Sequence, residues 1–328
     1  MVNEKNKFTV INIDPDAHRF RKKDYEKLAG IGARLIEVKI EKNISKILQN
    51  VDVIIFTGTK ITSTMIKHLK KCRFIIRCGT GMDNIDIKSA TEKGIMVSNV
   101  VEFCTEEVSD HALMFILACC RRLKKFFILD SIKTVNNSGY IGSINNQTLG
   151  LVGFGKIARS LAKKARCLGM KVICYDPLVE SDILKSFGVK KASLQDVLKN
   201  SDYISLHCPL TEKTWHLIGK KEMELMKNTA YLINTSRGGL IDEKSLIKAL
   251  RNNQLAGAGL DVFEKEPLDK DNPLLYMDNV ICTPHYAYYS EKSINVLKDI
   301  VIDEVVRVLN GKVPKNLCNH EVLKNIKQ

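Results

Sequence analysis

The run Thr148-Leu-Gly-Leu-Val-Gly153-Phe-Gly155-Lys-Ile-Ala158 places a Gly-x-Gly-x-x-Ala turn directly after an apolar strand pattern and at the start of a helical one running through Arg159 to Leu168. Glycines there let the backbone turn tightly and approach a pyrophosphate, whose charge meets the first amides and the dipole of the following helix. The next apolar run, Lys171-Val-Ile-Cys-Tyr-Asp176, ends in a carboxylate about 20 residues further on, where a dinucleotide site places the acceptor for the adenosine ribose hydroxyls. Asp176 repels a 2′-phosphate, and Pro177 and Leu178 bring no compensating cation, so the expected cofactor is NAD and not NADP.

Working outward, short Val- and Ile-rich runs alternate with amphipathic segments, the pattern of parallel strands buried on both faces and joined by crossover helices. The class is α/β. Before the glycine turn the expected strands are Phe8 to Ile13, Leu35 to Ile40, Val53 to Thr57, Phe74 to Cys78 and Ile95 to Asn99. From it onward they are Thr148 to Gly153, Lys171 to Asp176, Tyr203 to His207, Ala230 to Asn234, Ala258 to Val262 and Asn279 to Thr283, six in all. A helical pattern spans Glu106 to Lys125, a polar connecting stretch spans Asn136 to Gln147, and Ile294, Leu297, Val301, Val305 and Val308 mark a last helix ending at Asn310-Gly311.

Composition bounds the function classes. A length of 328 residues calls for two domains, and 45% hydrophobic with 27% charged residues describes a folded chain. The longest strongly apolar stretch, Ala112 to Cys120, is far too short to cross a bilayer. The apolar run Phe8 to Ile13 ends at Asp14-Pro15 without a cleavage-like segment and no Cys-x-x-Cys pair occurs, so secretion is not expected and the ten cysteines are expected to be free thiols in a reducing cytoplasm. The net charge of +14 is spread along the chain and interleaved with acids, without a nucleic-acid-binding motif, and no metal-ligand spacing occurs. The expectation is no nucleic acid, no membrane and no metal.

Ligands of doubly wound sheets lie beyond the carboxyl ends of the strands. Three polar residues stand there: Arg237 after Tyr231-Leu-Ile-Asn-Thr-Ser, Glu266 after Leu260-Asp261-Val-Phe-Glu-Lys, and His285 after Ile281-Cys-Thr-Pro. Oxidation of an alcohol beside a carboxylate needs a proton acceptor, a cation for the anionic end and an exposed nicotinamide carbon. A histidine oriented by a carboxylate and a forked guanidinium meet the first two needs.

The segments Cys78-Gly-Thr-Gly-Met-Asp-Asn-Ile-Asp86, Thr105-Glu-Glu-Val-Ser-Asp-His-Ala112, Leu151-Val-Gly-Phe-Gly-Lys-Ile157, Ser205-Leu-His-Cys-Pro-Leu210, Asn234-Thr-Ser-Arg-Gly-Gly-Leu-Ile-Asp242 and Thr283-Pro-His285 resemble, in order, those of the D-isomer-specific 2-hydroxyacid dehydrogenases. The stretch from Ile281 to Glu291 is most similar to the subgroup containing the C-terminal binding proteins, which are dehydrogenase-like transcriptional corepressors.

The resemblance implies two doubly wound parallel-sheet domains. A Rossmann-type NAD domain, residues 104–289, is inserted into a flavodoxin-like substrate domain of residues 1–103 plus 290–328, with a cleft at the hinge. It implies a small-molecule 2-hydroxy or 2-oxo acid as substrate, and a homodimer with subunit contacts in the Glu106 to Lys125 region. Arg237, Glu266 and His285 take the catalytic positions. Substrate contacts fall on Arg77, Gly79, Thr80, Gly81, Phe56 and Tyr288. Cofactor contacts fall on Thr80, Thr105, Gly153, Phe154, Gly155, Lys156, Ile157, Asp176, His207, Cys208, Pro209, Thr214, Thr235, Arg237, Asp261 and His285. Phosphoglycerate dehydrogenases usually carry an arginine where Phe56 stands; an aromatic residue there suggests an apolar or thioether side chain on the substrate. The alternatives implied by the same family are an NAD(H)-sensing corepressor-like protein and a phosphoglycerate dehydrogenase.

Overall fold

The apolar runs become strands because both faces of each are covered. The computed structural model describes residues 7–39, 45–126 and 141–326. In the first third lie β1 (Phe8–Asn12), β2 (Ala33–Glu37), β3 (Val53–Phe56), β4 (Phe74–Arg77) and β5 (Met96–Asn99). Beyond them come β6 (Thr148–Val152), β7 (Lys171–Tyr175), β8 (Lys190–Lys191), β9 (Tyr203–Leu206), β10 (Tyr231–Asn234), β11 (Gly257–Leu260) and β12 (Val280–Cys282). Every recorded strand pairing is parallel.

The chain divides into two compact units, Met1–Phe103 with Ser290–Gln328, and Cys104–Tyr289. The first unit holds a sheet of order β2-β1-β3-β4-β5, the flavodoxin-like winding. The helix Glu291–Leu309 buries Ile294, Leu297, Val301, Val305 and Val308 and packs on β4 and the helix Lys22–Ala29. Its outer side pairs Asp299 with Arg21 at 2.6 Å and Asp303 with Lys27. Beyond it Asn319 is buried against the edge strand, accepting from Val97 N at 2.8 Å and donating to Ile95 O at 2.9 Å.

The second unit holds a seven-stranded sheet of order β12-β11-β10-β9-β6-β7-β8. The sequence reading gives six strands. The added one, β8, is two exposed lysines that carry no apolar signal, yet it fills the outer place in the Rossmann winding. The helix expected over Glu106 to Lys125 is the α-helix Thr105–Cys120 followed by a separate 3₁₀ turn, Leu123–Phe126. Between them Arg122 takes φ +49, which no continuing helix accommodates, and Lys124 Nζ is drawn onto the carbonyls of Leu275, Met277 and Val280 at 2.8–3.0 Å.

Most strands stop one or two residues before their apolar run does, leaving Thr57, Cys78, Gly153, Asp176, His207 and Thr283 in the loops beyond the carboxyl ends. The β2 strand starts at Ala33, paired with Phe8, and not at Leu35. Ile40 and Asn136 to Tyr140 lie outside the described residues; 141–147 form neither helix nor strand. Among the described residues no helix is long and apolar enough to cross a membrane, and all ten cysteines are free.

Candidate active site

The glycine turn is shaped by a close approach. Gly153 has φ +93, and a Cβ there would stand 2.7 Å from Cys208 N and 2.8 Å from His207 C, so only glycine lets the loop after β9 press against the end of β6. Gly155 caps the helix Lys156–Cys167, and the space over its Cα holds no atom within 4 Å of an ideal Cβ. Lys156 and Ile157 open that helix, and Phe154 is buried beneath the turn. Asp176 braces the turn from the end of β7, accepting from Phe154 N at 2.7 Å and from Leu178 N at 2.8 Å.

Around it stand smaller supports. Thr214 Oγ1 donates to Pro209 O at 2.7 Å and folds that loop. Thr105 is the first residue of its helix, and Thr235 Oγ1, after β10, is buried with no hydrogen-bond partner among the described residues. An open helix start, a glycine turn, a braced acid and an orphaned hydroxyl fit NAD.

His207 contributes through its backbone. Its Nε2 lies 2.9 Å from Ser205 Oγ, and burial pushes its imidazole down to about 4. His18, in the first unit, is likewise held at about 4, by burial and then by the Lys298 charge. Unfolded histidines take up protons near pH 6.5, so between that pH and 4 the unfolded chain binds more protons. The stability these two sites supply is complete above about pH 6.5 and is lost on descent toward 4. Thermal melts from pH 7 to 4.5 should therefore show a falling Tm. His207→Gln is expected to remove roughly 1–2 kcal/mol of that acid-side loss; an unchanged slope counts against a neutral, buried His207.

The acid–base group forms beyond β12. His285 Nδ1 lies 2.6 Å from Glu266 Oε2, and Glu266 Oε1 accepts from Phe263 N at 3.1 Å. Burial raises the Glu266 carboxyl, but the hydrogen bond and charge of His285, the Phe263 N–H and the Arg237 charge outweigh it and hold the group below the ordinary carboxylate range. His285 itself has φ +55, a left-handed conformation that costs a residue with a Cβ about 1–2 kcal/mol. Asp261 offsets that cost. Its main-chain oxygen accepts from His285 N at 2.8 Å, and its carboxylate, 1% exposed, accepts from Tyr286 N at 2.8 Å and Ala287 N at 2.9 Å. Tyr288 sets its ring edge-on to His285, centroids 6.4 Å apart.

Arg237 reaches the same place from β10. Its carbonyl accepts from Asn234 Nδ2 at 2.8 Å and its Nη1 donates to Ser236 O at 2.8 Å. Gly238 then lets the Phe263–Glu266 loop lie on it: a Cβ would fall 1.9 Å from Phe263 C. Gly238→Ala is expected to cost about 3 kcal/mol and to displace Glu266, because main chain cannot yield as a side-chain tip does. Chemical unfolding measures the first effect, and an unchanged midpoint contradicts the packing. The same loop is tied by Glu264, which accepts from His216 Nε2 at 2.8 Å and Glu243 N at 3.0 Å. His216, Asp242 and Glu264 bring ligand-type atoms within 4.8 Å of one another, and their hydrogen bonds account for them as a brace.

Other expected residues lie in the first unit. Arg77 closes β4, donating from Nε to Thr57 O at 3.1 Å and standing 3.8 Å from Asp83. Gly79 follows with φ +149, exposed Thr80 donates to Val100 O at 3.0 Å, and Gly81 is half-buried. Phe56 needs correction. It is completely buried in the core with Ile11, Leu48 and Ile75, because β3 is covered on both faces, and it cannot line a substrate pocket.

Two residues escaped the sequence reading. Asp14 follows β1 and accepts from the main-chain N–H groups of Thr57, Gly58 and Thr59 at 2.6–3.0 Å. His111, on the helix Thr105–Cys120, lies with Nε2 2.9 Å from Thr283 Oγ1. The available signals were a carboxylate directly after an apolar strand and a polar ring on an otherwise buried helix face.

A family model described as the D-isomer specific 2-hydroxyacid dehydrogenase NAD binding domain matches residues 113–287. A glyoxylate reductase of Korarchaeum cryptofilum is 37% identical over 80% of this chain and 81% of its own length. A D-3-phosphoglycerate dehydrogenase of Methanocaldococcus jannaschii is 37% identical over 85% of this chain, which spans only 53% of that protein. The crystal structure of a D-lactate dehydrogenase from Aquifex aeolicus, complexed with NAD and lactic acid, superposes with a TM-score of 0.84 at 30% identity, covering 95% of this chain and 99% of that one. The chain belongs to the D-isomer specific 2-hydroxyacid dehydrogenase family.

Proposed function

We propose that this member of the family reduces a small, unphosphorylated 2-oxo acid to the D-2-hydroxy acid, with Arg237, Glu266 and His285 as its reacting set. The observation that carries the reading is the 2.6 Å contact of His285 Nδ1 with Glu266 Oε2 within reach of the Arg237 charge. Held at the Gly153–Gly155 turn and Asp176, the nicotinamide cofactor would provide hydride for the substrate's C2 as NADH and accept it back as NAD+. Glu266, ionised at neutral pH, orients the ring through Nδ1; Nε2, without a partner among the described residues, delivers the proton to the carbonyl oxygen and recovers it in the reverse direction. Arg237 offers a forked donor pair to the substrate's anionic end. The Gly79 N–H donates to Arg77 O at 3.0 Å; on the family resemblance we assign the Arg77 side chain and the Gly79–Gly81 turn to substrate binding as well.

The preference for a substrate without a phosphate rests on the loop after β3. Its three main-chain N–H groups already donate to a carboxylate, that of Asp14, which fills an anion nest and repels a second anion. Position 56 holds no arginine, and its phenylalanine ring is buried in the core, so it selects neither a phosphate nor an apolar or thioether side chain. The same reading makes the protein a cytoplasmic homodimer, with the contact on the exposed Met114, Leu117 and Leu123. NADH oxidation by purified protein should be fastest with glyoxylate, pyruvate or hydroxypyruvate and slowest with phosphohydroxypyruvate; the reverse order, or no turnover on any of them, overturns the assignment.

A further inference from the structure

We infer that His111 is a positioning residue for the reaction, holding His285 in place through Thr283 and Asp261. The inference rests on His285 as the acid–base group. His111 Nε2 lies 2.9 Å from Thr283 Oγ1 and 3.7 Å from Asp261 Oδ1, and Thr283 Oγ1 lies 2.5 Å from that same carboxylate oxygen.

Counting hydrogens fixes the direction of each bond. A carboxylate accepts only, so the one hydroxyl hydrogen of Thr283 goes to Asp261. His111 must then donate its Nε2–H to the threonine oxygen, which selects one neutral tautomer. Burial lowers the affinity of this ring for a second proton, against the opposing pull of Asp261, so the neutral form prevails at working pH. Phe115 sets its ring perpendicular to that of His111, centroids 4.7 Å apart, and fixes the imidazole plane.

The chain of bonds ends at His285. His111 pins the oxygen of Thr283, Thr283 orients the carboxylate of Asp261, and the carboxylate accepts from Tyr286 N through Oδ1 and from Ala287 N through Oδ2. Those two bonds lie directly after the one residue of the loop with positive φ, His285, and keep it there. Without the histidine, the threonine hydroxyl can rotate away from Asp261, the carboxylate loses one of its three donors, and the imidazole of His285 can drift. A displacement of about 1 Å at a reacting group costs on the order of 100-fold in rate. Binding of the oxo acid, which His111 does not touch, changes little.

The test uses the full chain and three variants: His111→Leu, His111→Gln, whose amide N–H reaches the same oxygen, and Thr283→Val, which removes the relay at constant volume. Steady-state kcat and KM for the best 2-oxo acid are read with Tm for each. Expected are a 10- to 100-fold fall in kcat for His111→Leu and Thr283→Val with KM within about threefold, and kcat within about fivefold of the parent for His111→Gln. If His111→Leu does not fold, Thr283→Val carries the comparison. Parental kcat in either apolar variant, or a loss in His111→Gln as deep as in His111→Leu, overturns the inference. If the parent turns over no oxo acid, or His285→Asn is as active as the parent, the functional reading has failed instead.

Discussion

His285→Asn lowers kcat for oxo-acid reduction by about 10³-fold and leaves NADH affinity within about threefold of the parent. The imidazole is the group whose Nδ1 is engaged by Glu266 at 2.6 Å, so its loss removes both the proton donor and the partner that keeps Glu266 ionised. Cofactor affinity survives because the glycine turn, Asp176 and Thr235 follow β6, β7 and β10, whereas His285 follows β12. Asparagine is the informative replacement: it tolerates the left-handed backbone that His285 adopts at φ +55. His285→Ala should be equally inactive but less stable by about 1 kcal/mol, since alanine meets the same backbone without asparagine's local hydrogen bonding. Steady-state turnover, NADH fluorescence titration and thermal melts separate the three quantities. Turnover within tenfold of the parent in both variants would remove His285 from the chemistry.

Much of this arrangement is legible in the sequence because its physics is local. Strands covered on both faces are largely apolar, so β1, β3 and β4 announce themselves as Val, Ile and Phe runs, and the end of each run marks a loop at which to look for a ligand. The glycine turn and Asp176 are equally local, since both follow from what a backbone needs in order to approach a phosphate. What escaped was set by distant partners. The two lysines of β8 are a strand only because β7 lies beside them. Phe56 reads as a pocket residue by its alignment with an arginine of related dehydrogenases, and only its burial in one core cluster with Ile11, Leu48 and Ile75 shows that its ring belongs to the core. His111 and Thr283 are 172 positions apart, and no periodicity connects a helix residue with the hydroxyl it holds.

Arg237→Lys keeps the charge, removes the fork, and is expected to lower kcat/KM by 10²- to 10³-fold, chiefly through a rise in KM. A guanidinium presents parallel N–H groups that match a carboxylate or an oxo-acid edge; an ammonium meets the same anion as a single mobile point. Lysine is also freed from the bond by which Arg237 Nη1 donates to Ser236 O, so its head is less well placed. The companion Arg237→Ala should be worse and should differ in kind. In the parent, the guanidinium charge is one of the influences that hold the Glu266 carboxyl below the ordinary carboxylate range, so Glu266 stays ionised as the pH falls and protonates only below that range. Without the cation, protonation sets in at higher pH, and the acid-side decline of kcat/KM moves upward in Arg237→Ala but stays near the parental position in Arg237→Lys. Saturation kinetics and pH profiles of the two variants distinguish these effects. An alanine variant with parental KM and an unmoved acid limb would mean that Arg237 neither grips the substrate nor governs its neighbour.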